Sequence, residues 1–551
     1  MTYPPELRKS TPFDLCVLTA ANERQAEGYC IQLDWRRRRG SLPQTEFMVI
    51  ADPEGRRIGS GGSTFFVLAQ LYDRYGDDLL QKRVLILHSG GDSRRLPAYA
   101  AVGKLFTPLP SNDYFALFDI MIANYAELPS LPQGQAVVVS GDVLLNFDPA
   151  YVQFSPNGIT GVAYPDDPAA GRFFGVYVPA DAGHGLAKAA DVLQKPSAAE
   201  LAAADAVDFG RRIWIDTGIL NLAPDAVRTF LACHTLRRAF TSGQLNHNLY
   251  HEILYAVHGK LDLPDGDLLA EIELFVNCLP YCGFYHVGRS EEFLYNFYTL
   301  TPASAVYHFH NGVRSNAGTF AELKSAWVYN TVVNTPAVQT KRPCLIEGCF
   351  VDDHVELEGE NILTGVPPQA GPITLGRGLC LALLPLGDRW AAVIYGLRDS
   401  FKSDSTFLNQ PFDRFVEMQG LAASELWADG EPHDVWNAAL FPSAADARQA
   451  IAAALAVQND GDLSVWRKAH RFSMRQILLL ADQKRILAQR AELERRARLT
   501  ALNDVVNDDD FTLQDLIDLL HDDKDRRNAV RQLRQSTAPL ERARAEFWIG
   551  S

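Results

Sequence analysis

Four short apolar runs, "FDLCVLTA", "EFMVIAD", "RVLILH" and "QAVVVSGD", punctuate the N-terminal part of the chain, with helix-length segments between them. A strand that is apolar along its whole length must be covered on both faces, and helices packed on a parallel sheet do this. The intervening stretches read as helices. "ERQAEGYCIQLDW" opens on Asn22 and Gln25, which resemble a capping pair, and "FFVLAQLYDRY" and "YFALFDIMIANYAEL" have the length and apolar content of the other two. The expected fold is therefore α/β, with a Rossmann-like, mixed but mostly parallel sheet over residues 1–320.

Further along, the period changes. Leu345, Val351, Leu357 and Leu363 stand six apart, and Leu375 and Leu381 resume that register after "TGVPPQAGPI". A six-residue apolar period with intervening glycines is the mark of a β-helix coil, expected here over 321–440. Residues 441–551 read as a C-terminal helical region. "SMRQ" (Ser473 to Gln476) resembles a capping box opening "ILLLADQKRILAQRAELERRARL", and "TLQD" (Thr512 to Asp515) resembles another. Alternating charges there suggest exposed faces or a helical hairpin, and without visible chemistry the region reads as packing or connecting.

A formal net charge of -15 argues against a general nucleic-acid binder, which needs a basic face. The one strongly basic island, Arg36 to Arg39 in "WRRRRG", reads as a solvated helix end beside the last carbonyls. Eight cysteines are scattered without a CxxC pair; Cys278 and Cys282 come closest, and neither a second pair nor a histidine cluster completes a zinc site. They read as buried thiols of a reducing compartment. The first residues lack the pattern of a signal peptide, and no apolar stretch approaches the roughly 18 residues of a membrane span. The expectation is a cytoplasmic protein without membrane or nucleic-acid partners, its homo-oligomerisation left open.

Two glycine-rich loops sit at strand-to-helix turns: Gly59-Ser60-Gly61-Gly62-Ser63-Thr64 and Gly90-Gly91-Asp92-Ser93-Arg94-Arg95. Glycine admits a phosphate close to the backbone, and helix N-termini aim N–H groups at negative charge. A tight turn accounts for either loop alone; two in adjacent βα units, one with paired arginines, point to an anion site. A P-loop needs Ser or Thr after Gly-Lys, and Gly103-Lys104 is followed by Leu105. A dinucleotide site wants GxGxxG and an acid ending the next strand; the first loop gives GxGxxT, and that strand ends at His88-Ser89. A sugar nucleotidyltransferase needs a glycine loop with Arg, a Lys some ten residues on, and a lone Asp after a following strand. "GGDSRRLP", Lys104 and the Asp142 of "VVVSGDVLL" supply these in order. Which glycine loop holds the triphosphate stays open.

The chemistry accounts for this inventory. A sugar 1-phosphate has a second pKa of about 6, so it is largely ionised near neutrality and attacks the nucleotide's α-phosphorus without a general base. The protein must align two polyanions and offset their repulsion. Arg94, Arg95 and Lys104 are expected to neutralise the triphosphate and the leaving pyrophosphate, with Gly59, Gly61, Gly62, Ser63, Thr64, Gly90, Gly91 and Ser93 lining the nucleotide. Asp142 is expected to hold Mg2+. Lys195 in "VLQKPS" suits a clamp on the sugar phosphate, the alternative being a surface lysine in a turn. Asp216, inside the apolar "WIDTGILNL", suits sugar hydroxyls, the alternative being a satisfied structural carboxylate.

With those segments in view, the chain resembles the fucose-1-phosphate guanylyltransferases, most of all the guanylyltransferase half of the bifunctional fucokinase/GDP-fucose pyrophosphorylases. The matching segments are "VLTAANERQAEGY", "DPEGRRIGSGGST", "RVLILHSGGDSRRLPAYAAVGKLFTPLP", "DTGILNL", "FYHVGRSEEFL" and "VWNAALFP". The resemblance implies a nucleotidyltransferase domain, a β-helix domain and trailing helices, with GTP and β-L-fucose 1-phosphate as substrates and Mg2+ as cofactor. Related enzymes carry a second metal-binding Asp before an Ile-Gly or Val-Gly; here His286 of "FYHVGRSEEF" stands in that place, and imidazole is a poorer magnesium ligand. Whether His286 holds metal or faces packing or substrate stays open. No glycine- and serine-rich kinase loop follows residue 445, so the chain is not expected to phosphorylate fucose itself. The alternatives are another sugar 1-phosphate, or a catalytically degenerate nucleotide-sugar-binding protein.

Overall fold

The computed structural model describes residues 12–506, apart from 112, 129–130, 182, 300–305, 317–322, 324, 403–404 and 459–462. Its first strands, β1 (Leu15–Ala20), β2 (Glu46–Ala51), β3 (Val84–His88) and β4 (Ala136–Ser140), pair in parallel in the order β2-β1-β3-β4. Helix α1 (Glu23–Arg38) follows β1, and Asn22 accepts the Gln25 N–H at 2.9 Å. Helix α2 (Gly59–Tyr75) follows β2. Parallel strands place their C-terminal ends on one edge, so the turns after β3 and β4 emerge side by side.

Beyond β4 the sheet changes character. β5 (Val143–Asn146) leaves it, while β6 (Ile159–Asp166), β7 (Gly175–Pro179), β8 (Gly185–Gln194), β9 (Ile213–Leu222) and β10 (Leu274–Cys278) extend it as β4-β9-β6-β10-β8-β7. Only β6–β10 is parallel here; β4–β9, β6–β9, β10–β8, β7–β8 and β7–β9 are antiparallel. The sheet is mixed, and the expectation of a mostly parallel one is corrected. The reason is visible in β8: "GLAKAADVLQ" has no continuous apolar run and leaves one face to solvent, as antiparallel strands do. β11 (Gly283–His286) pairs antiparallel with β5, setting His286 opposite Val143.

Farther on, Trp327–Tyr329, Cys344–Glu347, Asn361–Thr364 and Leu379–Leu386 form a parallel ladder, with Leu345 opposite Ile362 and Leu363 opposite Leu381. Val338–Thr340, Val355–Leu357 and Ile373–Leu375 form a second, and Val332–Val333 with Phe350–Val351 a third. Leu345, Val351, Leu357, Leu363, Leu375 and Leu381 all lie in these strands and are buried. Arg389–Gly396, Phe441–Ala444 and His470–Phe472 continue the first ladder antiparallel, so the described residues after 441 are not helical throughout.

Ser473 and Gln476 do form a capping box, but the helix they open, Met474–Leu480, stops at an extended Ala481. Asp482 then caps the first turn of Gln483–Val506 by accepting the Arg485 N–H at 3.0 Å. The single expected helix is thus two; Thr512–Asp515 lies outside the described residues. Arg490 on the second helix donates to the buried Glu347 carboxylate at 3.1 and 3.0 Å, and Glu494 accepts from Arg39 at 3.2 Å. That helix ties α1 to the first ladder.

The basic island also differs from its sequence reading. Arg37 and Arg38 are exposed, but Arg36 is 1% exposed and forks onto Asp119 of the helix Leu117–Ala126 at 2.7 and 3.0 Å. Helical spacing puts Arg36 on the same inward stripe as Tyr29, Gln32 and Leu33, which overrides its charge. All eight cysteines are free, and all but Cys30 are buried. Among the described residues no helix is long and apolar enough to cross a membrane.

Candidate active site

A cleft of about 670 Å³ opens on the strand edge where the turns after β3 and β4 emerge, and it is lined by Arg95, Asp142, Lys195, Asp216, Asn248 and His286 among others. The glycine loop after β3 is pinned from beneath. Ser89 Oγ donates to the Thr19 carbonyl at 2.7 Å, and Tyr29 Oη donates to the Ser89 carbonyl at 2.8 Å. Gly91 has φ +118, which an L side chain rarely adopts, and its carbonyl accepts from Gln25 at 3.0 Å. Ser93 is also left-handed and buried. The paired arginines then diverge. Arg95 turns into the cleft, its carbonyl held by the Ser290 N–H at 2.9 Å. Arg94 bonds Asp92 at 3.2 Å and stacks on Trp436, 4.7 Å from the ring centre.

Asp142 sits in the turn from β4 to β5. It accepts from Lys104 Nζ at 2.8 Å and Ser140 Oγ at 2.9 Å, and His286 Nε2 lies 3.4 Å away. His286 Nδ1 meets Glu292 at 2.6 Å, so Asp142, His286 and Glu292 follow one another along the cleft, with Lys104 bonded to the first of them. A side chain on Gly288 would come within 2.4 Å of the His286 ring, so the glycine after Val287 is sterically required. Burial works to raise Asp142, but the Lys104 ammonium and His286 hold it well below the usual carboxylate range. Burial works against charge on His286, but hydrogen bonds to Asp142 and Glu292 prevail and raise it to about 9.

On the opposite wall Lys195 follows β8 with φ +51, a conformation costing a non-glycine residue about 1–2 kcal/mol. Its N–H donates to the Phe174 carbonyl at 3.0 Å, which holds the side chain at the cleft. Strain of this kind concentrates at functional sites. Asp216, in β9, is pushed up to about 7 by burial, although the Gly218 N–H at 2.8 Å favours its charge.

Gly59, Gly61, Gly62, Ser63 and Thr64 are placed differently. They form the first turn of α2, and Gly61 through Thr64 are buried. Side chains at Gly59, Gly61 and Gly62 would collide at 2.2, 2.7 and 2.9 Å with His247, Ile253 and Phe240. These glycines admit neighbouring protein, and none of the five lines the cleft; Ser60 reaches it indirectly, donating to Asn248 at 3.0 Å. Sequence reasoning also missed an aromatic wall: Phe284 packs edge-on to Phe174 at 5.1 Å and stacks with Tyr164 at 5.7 Å. The adjacent Phe173 and Phe174 in "RFFG", the first of them exposed, are the signal that was there to find.

The donor set suits one hard cation. Asp142 is a cleft carboxylate beside cationic side chains, and Mg2+ is commonly held by one or two carboxylates with substrate phosphate oxygens completing the shell. His286 already engages carboxylates through both ring nitrogens. Among the described residues no three His, Cys, Asp or Glu side chains gather as a metal cage.

A sequence model of the fucose pyrophosphorylase domain matches residues 76–263 and 267–446. The chain is 27% identical to a Bacteroides fragilis L-fucokinase/L-fucose-1-P guanylyltransferase over 82% of its own length and 49% of that protein. It is 27% identical to an Arabidopsis thaliana bifunctional fucokinase/GDP-fucose pyrophosphorylase over 84% of its length and 50% of that protein. A mouse fucose-1-phosphate guanylyltransferase is 25% identical over 86% of this chain and 90% of its own. The chain thus spans about half the length of the two bifunctional relatives.

Proposed function

The chain belongs to the fucose pyrophosphorylase family, and from that premise we propose that it transfers a guanylyl group from GTP to β-L-fucose 1-phosphate, forming GDP-L-fucose and pyrophosphate. The observation that carries this reading is one cleft lined by Arg95, by Asp142 with Lys104 bonded to it and, opposite, by Lys195 and Asp216. The names of the relatives support the substrates. The mixed sheet supports a nucleotidyltransferase domain over 1–320, and the three parallel ladders support a β-helix over 321–440. Free, mostly buried thiols support a reducing compartment such as the cytoplasm.

The sugar phosphate oxygen attacks the α-phosphorus, the bond to the β-phosphate oxygen breaks, and its electrons leave with pyrophosphate. Arg95 and Lys104 offset the triphosphate charge, and Lys195 clamps the attacking phosphate as a point charge. Asp142 would hold Mg2+, which would supply Lewis-acid polarisation at the phosphates. Asp216 accepts from sugar hydroxyls, and Phe174 and Phe284 offer an apolar face to the C6 methyl of a 6-deoxy sugar.

Pyrophosphate release from GTP with a panel of sugar 1-phosphates tests the reading. Turnover is expected to be best with fucose 1-phosphate. β-L-galactose 1-phosphate, which adds a hydroxyl at C6, is expected to be about 10–100-fold poorer in kcat/KM, the usual limit of an apolar pocket. Preference for another sugar overturns the substrate, and GDP-sugar binding without turnover overturns the enzyme.

Asp216 gives this site a pH signature. Its carboxyl titrates at about 7 in the free protein, and protonation removes acceptor capacity. The KM for fucose 1-phosphate is therefore expected to rise as pH falls from 8 to 6. In Asp216→Asn that component disappears, and KM stays elevated by about 10–100-fold, the worth of a charge-assisted hydrogen bond. The sugar phosphate's own ionisation is common to both proteins and cancels in the comparison.

A further inference from the structure

The turn after the strand Arg389–Gly396 reaches out of the parallel-ladder half onto the glycine loop. Its described residues are tied together: the buried Asp399 carboxylate accepts the Gly396, Leu408 and Asn409 N–H groups at 2.6, 2.8 and 2.8 Å. Thr406 Oγ1 accepts the Ser400 N–H at 2.8 Å. The turn docks by main chain, since the Phe401 N–H donates to the Arg94 carbonyl at 3.0 Å. Two neighbours reinforce the contact. Phe401 packs near Trp436, the ring beneath the Arg94 guanidinium, and Arg398 bonds Glu291 at 2.7 Å beside the Ser290 that holds Arg95.

The residue delivered by this docking is Lys402, an exposed side chain amid like charges. Partial desolvation and then the fields of Arg95, Lys104, Arg57 and Arg94 lower its pKa. Arg57 and Arg94 share the carboxylate of Asp92, Lys104 has that of Asp142, and no described carboxylate pairs with Lys402. Such a gathering of cations is unfavourable by itself and is relieved by a polyanion. Lys402 is not among the residues that line the cleft with Lys195 and Asp216; the docked turn sets it beside the glycine loop, at the Arg94 main chain.

We propose that Lys402 is a phosphate-contacting residue of the nucleotide site, supplied by the parallel-ladder half, that engages the β- and γ-phosphates of the triphosphate and the pyrophosphate they become. This rests on the guanylyl-transfer reading. Lys402 exchanges no proton in the step; it offsets the charge that pyrophosphate gains when the α-phosphorus-to-oxygen bond breaks. The ladder half thereby joins the catalytic edge instead of serving only as packing.

The test uses the full chain carrying Lys402→Ala or Lys402→Arg. In Lys402→Ala the KM for GTP, and that for pyrophosphate in the reverse reaction with GDP-fucose, are expected to rise about 10-fold or more. The KM for fucose 1-phosphate is expected to stay within about 2-fold, and Lys402→Arg to recover most of the loss. Unchanged KM values for GTP and pyrophosphate in Lys402→Ala, with an active parent protein, overturn the proposal and leave the function standing. If the parent protein turns over no sugar phosphate, the function reading fails, and calorimetry with inorganic pyrophosphate still decides Lys402. Weaker binding by Lys402→Ala upholds it as a phosphate contact; equal affinity overturns it.

Discussion

Asp142→Asn is expected to lower kcat by about 10²–10³-fold with little change in melting temperature. The size follows from removing one preorganised electrostatic group at the point where charge develops. Asparagine keeps the shape of the side chain and can still accept from Ser140, but it offers neither Lys104 nor a divalent cation a negative charge. Lys104 and His286 remain partly exposed, so water can solvate them when their partner is neutralised, and the fold is spared. The Mg2+ concentration needed for half-maximal rate is expected to rise in the same variant. Steady-state kinetics over a magnesium series, alongside a thermal melt, check both points. A parallel fall in melting temperature and rate would make Asp142 structural.

Arg36→Met is expected to cost about 3–5 kcal/mol of stability, because it strands the Asp119 carboxylate in the core. Arg36 and Asp119 are nearly fully buried and joined by two hydrogen bonds, and Arg36 also bonds Gln32. Asp119 has a second duty, accepting the Ala116 N–H at 2.7 Å at the start of its helix. The double variant Arg36→Met/Asp119→Asn is expected to be less destabilised than Arg36→Met alone, since asparagine carries no charge and can still serve that N–H. Thermal unfolding with hydrogen exchange over α1 and the Leu117–Ala126 helix reads this out. A single variant no less stable than the double would contradict it.

How much of this was readable in the sequence depended on how local the signal was. β1 to β4 announced themselves because each is apolar from end to end, and Asp142 and Lys104 because the turns that carry them need glycine beside them. Only the end of β8, before Lys195, was legible as a strand, because a strand with one wet face carries weak alternation; β7 is buried but only five residues long. The glycines at the start of α2 carry an ambiguous signal for a physical reason: close approach of protein and close approach of phosphate demand the same missing side chain. Arg36 misled because its charge outweighed its helical phase. Lys402 and Glu292 gave no signal in their own neighbourhoods; only the docking of the ladder half and the β5–β11 pairing bring them to the site.

The central claim is attack by the sugar phosphate on the α-phosphorus of GTP. The most direct measurement uses fucose 1-phosphate labelled with ¹⁸O on its phosphate, incubated with GTP and Mg2+, and follows the label by ³¹P NMR and mass spectrometry. All of the label is expected in GDP-fucose, one atom of it bridging the two phosphorus atoms, with the released pyrophosphate unlabelled. Label in the pyrophosphate, or release of inorganic phosphate in place of pyrophosphate, would contradict it.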